Sequence, residues 1–384
     1  MNLNILFKVV FWRGLTAILS FFTVILCIRT FSVELFADYS TAFSIYTACC
    51  LIPNLGINNF FVYQNGDKEL EEKNYNIKIY YIFFIIIFYV INLFGLIKDL
   101  YFYAVIAGIL GSMFDYNLVK YQANKEFKKY SFFMPIRTLI FFLCVVLIIL
   151  FEKEKLIVED IFKISSFLFL IYYLWTIKGK FNHKIFSFKN NITIYKGAYS
   201  FLIYEICVLL MVRAEVWVLS IYTNWGLSKV DVANYWAAFN FILIVSILGN
   251  TLANIILPYL KNESEEGIVL LDKMVRKVSL MMLVILVLTL LFVYYLSDIL
   301  FDDNYSNLTG YVACLGLGVF LGFLSNIERL KLIKMKNKII DRLVISQLFV
   351  SIFLNFTLIY FFDIWGAIIA YVIVRLFGYL VFKY

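Results

Sequence analysis

Among the ionisable side chains inside long apolar stretches of this 384-residue sequence, seven lie where each can bind a ligand or must be neutralised. They are four arginines and three acids: Arg13, Arg137, Arg213, Arg375, Asp115, Glu205 and Glu215. A charged side chain at the centre of a lipid bilayer costs at least about 2.5–3.5 kcal/mol. We therefore expect these side chains to face the protein interior or water and not lipid.

The sequence leaves two interpretations of these charges open. In the first, they form structural pairs, such as Asp115 with Arg137, or reach the membrane interface with their charged ends. In the second, the arginines bind an anionic ligand, because a guanidinium group keeps its charge and grips phosphate in a fork. The acids would then neutralise arginines or carry a coupling proton or sodium ion, and Glu205 is the first candidate for that role.

The elements that must position these side chains are helices that cross a membrane. Hydrophobic residues make up 63% of the chain and charged residues 16%, with a mean hydropathy of +0.87, so lipid must cover much of the apolar surface. A spanning helix needs about 20 mostly apolar residues. Twelve segments satisfy this requirement, at 5–31, 38–62, 77–97, 100–120, 130–151, 156–177, 195–222, 231–257, 275–297, 308–328, 340–361 and 364–383.

Loops rich in lysine and arginine alternate with poor ones along the chain. Five connections carry 22 of these residues, whereas the alternate connections carry only 4. Positive loops stay in the cytoplasm, so we expect both termini to be cytoplasmic and the loop with Asp298, Asp302 and Asp303 to lie outside. No outside loop exceeds roughly a dozen residues, which leaves no room for a folded extracytoplasmic domain.

Metal and nucleic-acid chemistry fit this sequence poorly. The single histidine, His183, cannot form a multi-histidine site. The six cysteines lie in apolar stretches without CxxC spacing, so we expect them to act as packing residues. The net charge of +8 is spread over short loops and not over one patch, which argues against a nucleic-acid partner. We expect neither a metal nor a cofactor.

A short repeat relates the two halves of the chain. ADYSTAF at 37–43 and ANYWAAF at 233–239 share Ala, Tyr, Ala and Phe in register, and each segment opens a predicted helix from the outside. Six helices separate the copies, so the halves have parallel topology about an axis along the membrane normal. We predict an all-α polytopic membrane protein with twelve transmembrane helices in two pseudo-symmetric six-helix lobes, 1–180 and 181–384, around a central cleft.

Four segments of the sequence resemble the Wzx-type polysaccharide flippases of the multidrug/oligosaccharidyl-lipid/polysaccharide exporter superfamily. They are IRTFSVELFADYSTAF (28–43) leading to NLGINNF (54–60), QANKEFKKYSFF (122–133), VRAEVWVLSIYTNWGLSKVDVANYWAAFNF (212–241) and LNFTLIYFFDIWGAIIAYVIV (354–374). Their order and spacing carry the likeness across nearly the whole chain. The chain departs from the family in its short loops and in Glu215, where many relatives carry Asp.

The resemblance implies a flippase, not an enzyme, for undecaprenyl-pyrophosphate-linked O-antigen or capsule repeat units in the bacterial inner membrane. It implies membrane lipid, a polysaccharide polymerase and a chain-length regulator as partners, and either H⁺ or Na⁺ as the coupling ion. Arg13 and Arg213 are assigned to the cargo only by their positions in helices one and seven. The alternatives are a membrane polymerase or lipid-sugar transferase, with Asp302 and Asp303 as its acids, and a small-molecule exporter of the same superfamily.

Overall fold

A computed structural model describes residues 3–54, 56–64, 71, 84–95, 97–151, 158–177, 196, 198–256, 265–300, 305, 307–333 and 337–383. Every regular element in these ranges is helical. The helices are α1 (Leu3–Thr30), α2 (Val33–Leu51), α3 (Ile57–Tyr63), α4 (Phe84–Leu93), α5 (Asp99–Ala123), α6 (Phe127–Phe151), α7 (Val158–Ile177), α8 (Tyr199–Tyr222), α9 (Lys229–Ile256), α10 (Glu265–Leu300), α11 (Leu308–Ile333) and α12 (Asn337–Lys383).

The predicted second span differs from the structure, because the chain turns in its middle. We expected one helix over 38–62, but α2 ends at Leu51 and α3 begins at Ile57. Gly56 adopts a φ of +75°, a left-handed conformation that ends helical geometry and suits glycine. A Cβ at Gly56 would also collide with the backbone of Leu202, so the turn packs directly on α8.

The last two predicted spans are confirmed as two arms of α12. The arms are 337–362 and 364–383, and Asp363 breaks the helix between them with a φ of +50° and a ψ of −130°. Gly366 follows in the second arm, where an added Cβ would collide with the carbonyl group of Leu358. The close approach of the two arms therefore depends on glycine at position 366.

The described helices have the surface of a membrane protein. By length and composition, six of them can cross a bilayer, and one of the six is the double-length α12. On α10, the large apolar side chains of Leu280, Val287, Leu288 and Tyr294 are all more than half exposed. Water would not favour this surface, but lipid covers it without cost. The chain is therefore a multi-pass membrane protein with an all-α fold.

Contacts among the described residues divide the chain into two compact units. The first comprises Met1–Ser40 and Leu210–Tyr384, in which α9 packs on α1, α10 and α11, and α11 packs on α12. The second comprises Thr41–Leu209, in which α5 packs on α3, α6 and α7. The lobe boundary that we placed at residue 180 stays a prediction.

The internal repeat is visible in the burial of its matched residues. Tyr39 is the seventh residue of α2 and Tyr235 is the seventh of α9, and each is 1% exposed. Ala42 and Ala238 are also matched, and both are completely buried. Equivalent positions of the two helices thus carry equivalent packing, as expected for two related halves.

Several features used in the sequence analysis lie outside the described residues. They include His183, Pro258, Asp302, Asp303 and many lysines of the basic loops. The orientation of the chain therefore stays a prediction. The six cysteines are all described and form no disulfide bond with one another, and five of them are buried, which agrees with the expected packing role.

Candidate functional site

The first unit contains a cluster of three of the seven ionisable residues. Helix α8 contributes Arg213 and Glu215, and the second arm of α12 contributes Arg375. Glu215 is 1% exposed, and its carboxylate interacts electrostatically with both guanidinium groups, most strongly with that of Arg375. Two positive charges therefore surround one buried negative charge, and the cluster keeps a net positive charge.

Aromatic rings hold the two arginines of this cluster. The guanidinium carbon of Arg375 lies 5.0 Å from the ring centre of Tyr371, and that of Arg213 lies 5.8 Å from the ring centre of Trp236. Both distances suit an attraction between the cation and the negative face of the ring. Tyr235, next to Trp236 on α9, interacts electrostatically with Glu215 and with both arginines. Helices α8, α9 and α12 thus meet at one polar cluster.

Three buried oxygen atoms of this cluster have no hydrogen-bond partner within the described protein. They are Oε2 of Glu215, the hydroxyl oxygen of Tyr235 and Oδ1 of Asn355. Asn355 is completely buried on the first arm of α12 and belongs to the cluster because its side chain hydrogen-bonds that of Glu215. Its amide Nδ2 also donates to the carbonyl oxygen of Ser351 at 2.9 Å. Buried polar atoms that lack a protein partner are usually satisfied by water or an ion. The cluster is therefore suited to bind a small polar or charged species.

Neighbouring residues create the space that the Arg375 side chain occupies. Gly322 on α11 faces Arg375, and a Cβ there would lie 3.2 Å from the Cδ atom of the arginine. Gln347 on the first arm of α12 donates from Nε2 to the carbonyl oxygen of Val374 at 3.0 Å. This bond ties the two arms together one residue before Arg375. A glycine and a buried amide thus fix the position of the guanidinium group.

Asp115 and Arg137 form a salt bridge in the second unit. Nη1 of Arg137 on α6 lies 3.0 Å from both carboxylate oxygens of Asp115 on α5. Nδ2 of Asn54 approaches Oδ2 of the same carboxylate at 3.5 Å. The structure therefore forms the pair that the first interpretation of the charges expected. The charge of Arg137 is neutralised in this pair, and a role for Arg137 in ligand binding stays a prediction.

Glu205 supports the turn between α2 and α3. One carboxylate oxygen accepts a hydrogen bond from the backbone N–H of Gly56 at 2.6 Å, and the other accepts from Nδ2 of Asn59 at 2.5 Å. The carboxylate thus lies at the N-terminus of α3, where the backbone N–H groups lack helical partners. These contacts give Glu205 a structural explanation, and its proposed coupling role stays a prediction.

Arg13 has a partner on α9 of the first unit. Its Nη1 atom donates to the hydroxyl oxygen of Thr251 at 3.3 Å. This contact lies between α1 and α9, which pack on each other within the unit. The seven predicted residues therefore occupy four settings: the cluster of Arg213, Glu215 and Arg375, the Asp115–Arg137 pair, Glu205 at the α3 turn, and Arg13 beside Thr251.

Four residues that complete the cluster were not predicted from the sequence: Tyr235, Trp236, Asn355 and Tyr371. Two of them, Tyr235 and Trp236, lie in the repeated segment ANYWAAF, where only the repeat itself drew attention. Asn355 lies in the apolar segment LNFTLIYFF. A polar amide side chain inside such a segment indicates a functional site in the same way as an intramembrane charge does. Tyr371 is one of 28 tyrosines in the chain, and nothing in the sequence distinguishes it from the others.

Comparison with known proteins identifies the fold. No protein-family model matches the chain, and no curated protein sequence matches it either. The Vibrio cholerae MATE transporter VcmN, solved as a point mutant, is 11% identical with a TM-score of 0.63, covering 99% of this chain and 96% of VcmN. The lipid II flippase MurJ, in its inward closed conformation, is 14% identical with a TM-score of 0.64, covering 99% of this chain and 87% of MurJ.

A third solved structure is the MATE multidrug transporter DinF-BH in complex with a ligand. It is 14% identical with a TM-score of 0.61, covering 99% of this chain and 94% of DinF-BH. At such low identity the likeness is one of fold. The chain has the fold shared by MATE transporters and the lipid II flippase MurJ, and its membership of the predicted superfamily and of the Wzx-type family stays a prediction.

Replacing Glu205 by alanine should destabilise the protein. The substitution removes both acceptors at the α3 turn and leaves the N–H of Gly56 without its partner, a loss of about 1–3 kcal/mol. The midpoint of thermal unfolding in detergent should fall. Glu159→Ala is the matched control, because Glu159 pairs with Lys163 on its own helix, at 2.6 Å, in a partly exposed salt bridge that contributes little. A Glu205→Ala protein as stable as its parent would contradict the structural role.

Neutralising Asp115 and Arg137 together should be less harmful than neutralising either one. Arg137→Gln leaves the Asp115 carboxylate without its cation, and Asp115→Asn leaves the guanidinium group without its anion. We expect each single variant to lose about 1–3 kcal/mol and the double variant to recover at least half of that loss. Thermal unfolding of the four proteins measures this coupling. Losses that simply add would show that the two side chains act independently.

Proposed function

We propose that this protein is a flippase for a lipid-linked oligosaccharide. Its cargo is an undecaprenyl-pyrophosphate-linked repeat unit of O-antigen or capsule, carried from the cytoplasmic to the periplasmic leaflet of a bacterial inner membrane. The observation that carries this proposal is the net positive charge of the cluster formed by Arg213, Glu215 and Arg375. A guanidinium group bonds phosphate oxygens with two parallel donors, so two of them suit a pyrophosphate.

The fold supports a lipid-linked cargo. The chain shares its fold with a protein described as a flippase for lipid II, which supports a flippase function for this chain. The two MATE structures described above are transporters, which supports transport over catalysis. We therefore propose a non-enzymatic function. The cytoplasmic location of both termini rests on the charge of the loops, and a polysaccharide polymerase and a chain-length regulator as partners rest on the sequence resemblance alone.

Glu215 is the best candidate in the cluster for the residue that couples transport to H⁺ or Na⁺. Its carboxylate is buried between two arginines, and its Oε2 atom has no partner within the described protein. The unbonded oxygens of Tyr235 and Asn355 lie in the same cluster and are the type of ligand that a sodium ion or a water molecule takes. Binding a cation here would release the arginines from Glu215, which links the ion to the affinity of the arginines for an anion.

A small-molecule exporter is the second candidate function. Two of the structures described above are MATE transporters, and one of them is described as a multidrug transporter. A transporter for organic cations should present acids and aromatic rings to its cargo. The described cluster instead presents two arginines for one acid, so it disfavours a cationic cargo. A drug-susceptibility panel in cells with and without the gene distinguishes the two functions.

Removing the arginines of the cluster should block export without removing the protein from the membrane. Arg213→Ala and Arg375→Ala each take away a fork for phosphate, and we expect at least a roughly tenfold loss of surface polysaccharide in each case. Arg213→Lys and Arg375→Lys should retain part of the activity, since lysine keeps the charge and loses the fork. Surface polysaccharide is measured by sugar analysis of intact cells, and protein amount by immunoblot of membranes.

Arg29→Ala serves as the matched control for these variants. Arg29 also lies in a predicted span, but it is an exposed residue in the last turn of α1. We expect its replacement to leave export within twofold of the parent. Normal export from both Arg213→Ala and Arg375→Ala would remove the cluster from the cargo site. Unchanged surface polymer after deletion of the gene, in cells with no second copy, would refute the flippase function itself.

A further inference from the structure

A cavity in the first unit lies between the link from α8 to α9 and the break in α12. Its volume is about 390 Å³, which is near the lower end of the usual range of about 300–1,000 Å³ for ligand pockets. We call it the hairpin cavity. The residues that give it chemical character are Tyr222, Trp225, Ser228, Asp231, Tyr360 and Asp363. By the predicted orientation, it opens on the outer side of the membrane.

Three aromatic rings form one wall of the hairpin cavity. The rings of Tyr222 and Trp225 meet edge to face with centres 5.0 Å apart, and the ring of Tyr360 lies 6.3 Å from that of Tyr222. The hydroxyl group of Tyr222 donates to the carbonyl oxygen of Phe356 at 2.9 Å, which fixes this ring against α12. Trp225 is 70% exposed and Tyr360 66%, so both offer aromatic surface to a ligand.

Two carboxylates face the same cavity from different elements. Asp231 lies in the first turn of α9 and Asp363 lies at the break in α12, and the two interact electrostatically. Asp363 holds a φ of +50°, an unfavourable conformation for a residue with a side chain. Such strain often occurs where a side chain must be presented in a particular place. Because both carboxylates are negatively charged, they favour a ligand that donates hydrogen bonds or carries positive charge.

None of the described residues that line the cavity is basic. Lys229 is the nearest cationic residue along the chain, and its Nζ atom lies 3.2 Å from both carboxylate oxygens of Asp38. A phosphate group would therefore meet two negative charges without a positive one. The hairpin cavity is unsuited to the pyrophosphate end of a lipid-linked oligosaccharide and suited to a group rich in hydrogen-bond donors.

We propose that the hairpin cavity binds one sugar ring of the exported glycan, an inference that rests on the proposed function. The C–H face of the ring would stack on Trp225 and Tyr360, because aromatic faces are electron-rich and attract C–H groups of partial positive charge. The carboxylates of Asp231 and Asp363 would accept hydrogen bonds from hydroxyl or amino groups of the sugar. The cluster of Arg213, Glu215 and Arg375 would then bind phosphate, and the hairpin cavity would bind sugar.

An aromatic belt at the membrane surface is the competing explanation of these rings. Tryptophan and tyrosine are enriched at both interfaces of membrane proteins. A belt, however, requires neither two acids facing the rings nor a strained aspartate at the centre of a hairpin. The two explanations differ in a measurable way, because a belt residue responds to lipid and does not respond to sugar.

The test measures tryptophan fluorescence of the full-length protein in nanodiscs. The probes are the methyl glycosides of every monosaccharide found by analysis of the surface glycan of the cells that make the protein. At least one glycoside should quench the emission at millimolar concentration, and Trp225→Phe should abolish this response. Trp175→Phe is the matched control, because Trp175 is 68% exposed on α7 of the second unit, and this variant should keep the response.

Variants of the acids test the recognition itself. Asp231→Asn combined with Asp363→Asn keeps the shape of both side chains, and asparagine tolerates positive φ well. We expect this protein to bind the glycoside at least tenfold more weakly. Tyr360→Ala should weaken binding similarly, whereas Tyr360→Phe, which keeps the ring, should bind within threefold of the parent. Sodium pyrophosphate should leave the Trp225-dependent emission unchanged.

Two results would overturn the proposal. One is the absence of any Trp225-dependent response to the complete set of glycosides, and the other is a parental response from the double asparagine variant. The export assay with Arg213→Ala separates this failure from that of the proposed function. If Arg213→Ala blocks export and no glycoside acts at Trp225, the sugar site is refuted and the flippase function stands. If glycosides act at Trp225 but export is independent of the protein, the flippase function is refuted.

Discussion

A buried carboxylate between two guanidinium groups is the interaction on which the functional account depends. Glu215 cannot be buried alone in a membrane protein, because an unpaired charge away from water costs several kcal/mol, on the order of the insertion cost of about 2.5–3.5 kcal/mol. Arg213 and Arg375 both interact electrostatically with it, and the three side chains together carry a net positive charge. That net charge is the physical reason to expect an anionic ligand at this place.

The surrounding structure serves to hold this arrangement. Gly322 leaves space for Arg375, Gln347 ties the two arms of α12 together, and the rings of Tyr371 and Trp236 cover the guanidinium groups. The other intramembrane charges have partners that explain them without a ligand: Arg137 pairs with Asp115, and Glu205 supports the α3 turn. These contacts give Arg137, Asp115 and Glu205 a structural role, whereas a ligand-binding role for Arg213 and Arg375 stays a prediction.

Hydropathy was sufficient to predict most of the described long helices. The spans at 100–120, 130–151 and 308–328 agree with α5, α6 and α11 to within a few residues, because a bilayer requires a long apolar helix wherever the chain crosses it. The turn inside the second predicted span was missed. It depends on the φ of Gly56 and on acceptors supplied by Glu205, which lies about 150 residues away in the sequence. The sequence of an apolar segment does not show which distant residue will form hydrogen bonds with it.

The site was harder to predict than the fold for the same physical reason. A sequence shows that a charge lies in an apolar stretch, but it does not show which neighbour neutralises it. Glu205 and Glu215 are ten residues apart on α8 and look alike, yet the first accepts hydrogen bonds from Gly56 and Asn59, and the second lies between two arginines. The aromatic residues of the cluster were missed because aromatic side chains make up 20% of the chain.

Translocation by the purified protein is the most direct test of the central claim. The full-length protein is reconstituted in vesicles with a fluorescent undecaprenyl-pyrophosphate oligosaccharide, and a membrane-impermeant quencher reports the fraction that reaches the outer leaflet. We predict that the parent protein moves the lipid at least tenfold faster than empty vesicles and that Arg213→Ala with Arg375→Ala reduces the rate to that of empty vesicles. Equal rates for the parent, the double variant and empty vesicles would contradict the account.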